Sequence, residues 1–178
     1  DALKDVRVRQ AISYAIDRDI IVNNILQGGQ IPAYFFTPPA TSGFQSPELD
    51  YAKLSQAERD AKAKELMAAA GYGPDKPVEF TYIYNTSEAH KKIATVVSQM
   101  LKEKLDINMT LQDMEFATLL DKRHQRDFQA ARDAWCGDYN EASTFEGLMD
   151  STSSQNNSGY SNADVDKWLK EAATAADP

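Results

Sequence analysis

The positions from Arg132 to Asp138, in the stretch ARDAWCGDYNEASTF, hold a guanidinium, an indole, the chain's single thiol and a carboxylate: Arg132, Trp135, Cys136 and Asp138. A thiol beside a base is a nucleophile. Cys136 would need His90, His124 or Asp138 brought to it by folding, and the segment lacks the strained strand-to-helix elbow of a hydrolase. Two acids, Asp138 and Glu141, can share acid and base work or form a solvated edge. A cation and an anion held apart by one extended segment can instead clamp a zwitterion. If the segment is a strand, positions 132, 134, 136 and 138 share a face, and six residues at about 3.3 Å each separate the charges by roughly 20 Å. That is too far for a salt bridge. It suits a short extended peptide whose ammonium meets Asp138 and whose carboxylate meets Arg132, with strand backbone bonding between. In the competing reading Arg132 snorkels to the sheet edge and Asp138 caps a turn before a helix at Ser143.

Metal and phosphate chemistry have no local signature. The two histidines, His90 and His124, lie far apart, and HExxH, CxxC and EF-hand patterns are absent, so no metal and no cofactor is expected. Gly28-Gly29 and Gly71-x-Gly73 follow helical patterns, whereas phosphate loops follow a strand and open a helix. With 19 basic against 27 acidic residues and a formal charge of −8, the chain is not expected to bind nucleic acid. A single cysteine makes no internal disulfide. Cys136 reads as a buried small hydrophobe, as a reactive thiol, or, in a fragment of an exported protein, as half of a disulfide whose partner lies elsewhere.

These residues must be positioned by elements the pattern foretells. At 178 residues, 42% hydrophobic and 26% charged, the chain suits one globular domain with a real core. It starts at Asp1 and enters an amphipathic segment at once, which reads as a piece of a longer or processed chain. Asp5 caps a helix through Val8, Ala11, Ile12, Ala15 and Ile16. Asp17 caps a second helix through Ile21, Ile25 and Leu26, ended by Gly28-Gly29. Residues 31–51 hold four of the seven prolines and five aromatics, and read as a packed irregular loop. Ser55 and Glu58 form a capping box for a helix to Ala70 that stops at Gly71. Strands are expected at 77–84, 107–113 and 128–136. A helix capped by Asn85 or Ser87 carries Ile93, Val96, Val97, Met100, Leu101 and Leu105, and a short one carries Phe116, Leu119 and Leu120. Ser161 to Asp164 reads as a second capping box before Val165, Trp168, Leu169 and Ala172. The alternation implies an α/β domain, a sheet covered by helices.

The segments DVRVRQAISYAIDRDIIVNNIL, YNTSEAHKK, DKRHQ and RDAWCGDYNEASTF closely resemble the periplasmic oligopeptide-binding proteins, solute receptors of bacterial peptide ABC importers, from the first residues to about Asp166. The resemblance implies a single α/β lobe over 1–178, one lobe of a two-lobed type II periplasmic-binding-protein-like fold, with a mixed sheet flanked by helices. Asp138, in the WCxDY motif, is implied to salt-bridge a peptide's α-amino group, and Arg132 and His90 to serve carboxyl ends of peptides of different length. Trp135 and Cys136 are implied to flank the peptide, and Arg123, His124 and Asn85 to match pocket residues. Phe116 stands where the family often has tryptophan, and Ala134 where it has glycine, which alters pocket shape. The family's motif cysteine usually pairs with another upstream of this lobe, so the partner of Cys136 is expected outside this fragment. The partners implied are short peptides, the other lobe and an inner-membrane ABC permease, in the periplasm of a Gram-negative bacterium, with no catalysis. Murein-peptide or dipeptide receptors are alternatives within the family. A nickel or haem-type receptor would need a ligand cluster that is not visible.

Overall fold

The computed structural model describes residues 1–175. The chain divides into two compact units, the first comprising Asp1–Pro32, Leu49–Leu119 and Phe128–Arg132, the second Ala33–Glu48, Leu120–Asp127 and the residues from Asp133 on. Among the described residues no helix is long and apolar enough to cross a membrane.

The first unit begins with a 3-10 turn, Ala2–Lys4, and helix α1, Val6–Ala15. Asp5 caps α1 as expected, its carboxylate accepting from the Arg7 amide at 2.9 Å. Helix α2 is only Arg18–Ile20, capped by Asp17, and widens at once into a π-helical turn, Ile21–Leu26. Its stop is Gln27 at φ 53° rather than the glycines after it. After a short α3, Asp50–Lys53, the capping box forms in full: Ser55 Oγ accepts from the Glu58 amide and Glu58 from the Ser55 amide, opening α4, Gln56–Ala69. Gly71, at φ +81°, ends that run in a conformation that favours glycine.

Strand β1, Glu79–Asn85, then leads through α5, Glu88–Leu105, to β2, Asn108–Met114, and a further helix, α6, Phe116–His124, precedes β3, Ala130–Ala131. The strand order is β2-β1-β3. Both ladders are parallel, with Glu79 opposite Asn108 and Tyr82 opposite Ala130. A mixed sheet was expected; helical crossovers between consecutive strands impose parallel pairing on these three. The core joins Val8, Ala11 and Ala15 of α1, Ala63 and Met67 of α4, and Leu101 and Leu105 of α5 to Phe80 and Met109 of the sheet and to Val78 and Ile107, each just before its strand. Leu101 and Ile107 have no exposed surface, and burial of each such side chain stabilises by about 1.5–3 kcal/mol. Lys104 ties three helices together, pairing with Asp60 and donating to the Ala15 carbonyl, both at 2.9 Å.

The third strand is far shorter than the expected 128–136. The Arg132 amide still donates to the Ile83 carbonyl at 2.8 Å, but β1 ends at Asn85, so little edge remains to pair with. Asp133 then turns the chain, its carboxylate taking the Ala134 amide at 2.7 Å. Residues 132–138 are therefore no strand, and the shared-face argument for their even positions fails.

In the second unit, residues 33–48 form the expected irregular loop, with Phe35 and Phe44 stacked at 5.5 Å. Helix α7 is Ser143–Glu146, followed by a 3-10 turn, Gly147–Met149, and α8, Ala163–Ala172. Asn156 holds the intervening loop, donating to the Asp150 and Tyr160 carbonyls at 3.0 and 2.7 Å. The cap of α8 is Asn162, which accepts from the Asp164 amide at 2.9 Å, and not the Ser161 box. Asparagine competes as well as serine for this role, and it stands one position nearer the first turn.

Candidate functional site

In an open parallel sheet, ligands collect at the carboxyl ends of the strands where the chain order reverses. Here β1 is followed on one side by β2, through α5, and on the other by β3, so the reversal lies between β1 and β3. Three of the sequence-derived residues stand at that point. Asn85 is the last residue of β1, Arg132 follows β3, and His90 sits in the first turn of α5. Arg132 Nη1 lies 3.4 Å from Asn85 Oδ1, and His90 Nδ1 lies 3.4 Å from the Asn85 carbonyl oxygen. Both contacts are long for hydrogen bonds, so neither group is used up by them.

The electrostatics favour an anion. Arg132 is half-buried, and among the described residues no carboxylate pairs with it; its one acceptor is the neutral Asn85 amide. Asn85 does not cap α5. The cap position is Ser87, whose side chain accepts no amide of the first turn, leaving those donors and the positive end of an 18-residue helix beside the arginine. Burial raises the Tyr82 phenol above its ordinary pKa, and the charge of Arg132 opposes that rise. Arg132 turns toward β1 and Asn85, not out along the sheet edge. What the arrangement can hold is a carboxylate, by charge-assisted bonds from Arg132 and, in its protonated form, His90.

The second unit carries the remaining polar residues. Asp138 is exposed, and among the described residues its carboxylate makes no hydrogen bond or ion pair, while its amide donates to Thr144 Oγ1 at 2.9 Å. Gly137 permits that approach, because a Cβ there would lie 3.0 Å from the Phe145 ring and 3.1 Å from the Thr144 methyl. The alternative role of Asp138 as a cap before Ser143 is overturned. Glu141 does that work, accepting from the Ser143 amide at 3.1 Å and from its hydroxyl.

Cys136 is exposed and carries no disulfide, so the buried-hydrophobe reading is wrong: the strand that would have covered it ends at Ala131. Arg123 is buried and ion-paired to Asp133, with its Nε lacking a partner among the described residues. Its charge is therefore spent within the protein. With Phe36, Asp133, Ala134, Trp135 and Asn157 it lines a cavity of about 160 Å³. His124, exposed at the end of α6, and Phe116, 50% exposed at its start, are not among that lining. Sequence reasoning missed Asp133 and Asn157. An acid directly after Arg132 was a signal for the first; Asn157, the second of an asparagine pair in a polar loop, offered none.

The family described as bacterial extracellular solute-binding proteins, family 5 Middle, matches residues 1–157. The chain belongs to that family. Among its relatives are the periplasmic oligopeptide-binding protein OppA of Salmonella typhimurium, 45% identical over 173 residues, and the periplasmic murein peptide-binding protein MppA of Escherichia coli, 45% identical over 170 residues. Those alignments cover 97% and 96% of this chain and 32% of each relative. The solved structure of the Escherichia coli murein tripeptide binding protein MppA superposes with a TM-score of 0.95 at 44% identity, covering 99% of this chain and 35% of that one. Haemophilus influenzae OppA in complex with RPPGFSPFR gives 0.92 at 35%, covering 98% and 34%. The chain spans about a third of the length of these relatives. Its fold is that of part of a type II periplasmic-binding protein, an α/β fragment with a parallel sheet and helices.

Proposed function

We infer that residues 1–178 form one lobe of a two-lobed periplasmic receptor of a Gram-negative bacterium, which takes short peptides and presents them to an inner-membrane ABC permease. The observation that carries this reading is the convergence of Arg132 and His90 on Asn85, with no carboxylate among the described residues to neutralise the arginine. The relatives' names, which specify peptides and the periplasm, support it. Arg132 and His90 hold the carboxyl ends of peptides of different length, and the unpaired carboxylate of Asp138 takes the ammonium. Trp135 and Cys136 flank the peptide. Arg123, with Asp133 already its partner, walls a side-chain pocket rather than gripping a terminus. Closure by a second lobe desolvates the charge pairs and strengthens them.

No catalytic step belongs to this reading, and Cys136 closes a disulfide with a cysteine outside residues 1–178. A thiol enzyme built on Cys136 would instead lose all function on alkylation of that thiol. A murein-peptide receptor is favoured equally by the 45% identity to MppA. Native mass spectrometry of the family-length protein as purified tests the reading. Retained ligands whose masses match ordinary short peptides support it, and murein tripeptide masses select the second. A protein that carries neither and shows no binding of either by calorimetry rejects both.

A further inference from the structure

Among the described residues, the buried side-chain atoms left without a hydrogen-bond partner are Arg123 Nε and Asn157 Oδ1. Both side chains line the same cavity of about 160 Å³ in the second unit. Each residue is only 8% exposed, and an unpaired polar group so far from solvent is destabilising. One atom is a donor and the other an acceptor, because a guanidinium only donates and an amide oxygen only accepts. A single neutral group that carries both functions would satisfy the pair.

Charge and size narrow that group. Asp133 pairs with Arg123 at this cavity, so the lining holds one positive and one negative charge and is neutral as a whole. A carboxylate entering it would meet the Asp133 carboxylate and the lone pairs of Asn157 Oδ1, and an ammonium would meet the Arg123 guanidinium. An aliphatic group would leave donor and acceptor unpaired behind it. Phe36, Trp135, Leu148 and Met149 complete much of the wall and suit a stem of methylenes. The volume lies below the roughly 300–1,000 Å³ of a small-molecule pocket, so the cavity takes one side chain and not a whole ligand. A carboxamide meets every one of these conditions: its oxygen accepts from Arg123 Nε, and its NH2 donates to Asn157 Oδ1.

We propose that this cavity is a subsite selective for a carboxamide side chain, glutamine or asparagine, of the bound peptide, with Asp133 and Asn157 setting the preference. The proposal rests on the peptide-receptor reading above. The family resemblance implies neither of these two residues. Asp133 acts by cancelling the charge of Arg123, and Asn157 by supplying the acceptor.

Calorimetry on the family-length receptor tests this with alanine tripeptides, free at both ends, that carry Gln, Leu, Glu or Lys at each position in turn. At one position Gln should bind about tenfold or more tightly than the other three. Asn157→Leu should abolish that preference. Asp133→Asn, made at an exposed side chain and so independent of whether the first variant folds, should raise the Glu peptide relative to Gln at the same position by freeing the charge of Arg123. Tripeptides that bind with no position preferring Gln overturn the proposal and leave the receptor reading standing. So does a Gln preference that survives either substitution unchanged. If no tripeptide binds, the proposal and the short-peptide reading fail together.

Discussion

Replacing Arg132 by methionine keeps the apolar stem and deletes the charge. The guanidinium makes one long contact, 3.4 Å to a neutral amide oxygen, and forms no internal ion pair among the described residues. Its loss should shift folding stability by no more than about 1 kcal/mol, as for a substitution that removes no cap, cavity filling or buried pair. Binding is a different matter. If a peptide carboxylate is the missing partner, truncating one side of a desolvated charge pair costs about 2–5 kcal/mol. At about 1.4 kcal/mol per tenfold, that is a loss of roughly 30-fold to several thousand-fold in affinity. The assay is calorimetry on the family-length receptor with peptides of two to five residues, each as free acid and as C-terminal amide. Arg132→Met should weaken the free acid of the length that reaches it and leave its amide nearly unchanged. Equal losses for acid and amide at every length would refute the reasoning, because the arginine would then be acting through packing.

Asp138→Asn should weaken peptides with a free α-amino group by about 2–5 kcal/mol and leave N-acetylated peptides unaffected, read by the same calorimetry. The carboxyl of Asp5 is held down to about 2 by its hydrogen bonds from Arg7, so its stabilisation is present above its unfolded value of 3.8 and is lost as pH falls through about 2. Thermal melts between pH 5 and 2 should therefore fall less steeply in Asp5→Asn than in the wild type. Cys136, being exposed, should react with one equivalent of a thiol reagent in native residues 1–178, while the oxidised family-length receptor should resist until reduced. If residues 1–178 are one lobe of two, they supply only part of the walls of the site, so micromolar binding of a tripeptide by residues 1–178 alone would contradict the two-lobe account.

Elements whose signals are local were legible. Asp5, Ser55 with Glu58, and the apolar stripe of α5 announce themselves within a turn or two of chain, and each formed as read. What failed depended on partners distant in sequence. The stretch at 128–136 reads as a strand, but its pairing length was set by where β1 stops, forty-odd residues earlier, and by the pull of Arg123 on Asp133. Asn85 looked like a cap because a helix follows. Its side chain instead meets Arg132, a residue the parallel sheet brings alongside it. Of the three readings of Cys136 only the buried small hydrophobe failed, since a general preference of lone cysteines for burial says nothing of this exposed position. Of the candidate site, the conjunction of Asn85, His90 and Arg132 was legible as residue types through the family resemblance. Their convergence on one sheet end was not, since it requires the β2-β1-β3 order.

The measurement that bears most directly on the account is a four-peptide comparison on the family-length receptor: one tripeptide with both ends free, acetylated only, amidated only, and blocked at both ends. The account expects each block to cost affinity, the amide effect vanishing in a protein lacking Arg132 and His90 and the acetyl effect in Asp138→Asn. Four equal affinities would mean that the unpaired charges at these positions do not read peptide ends.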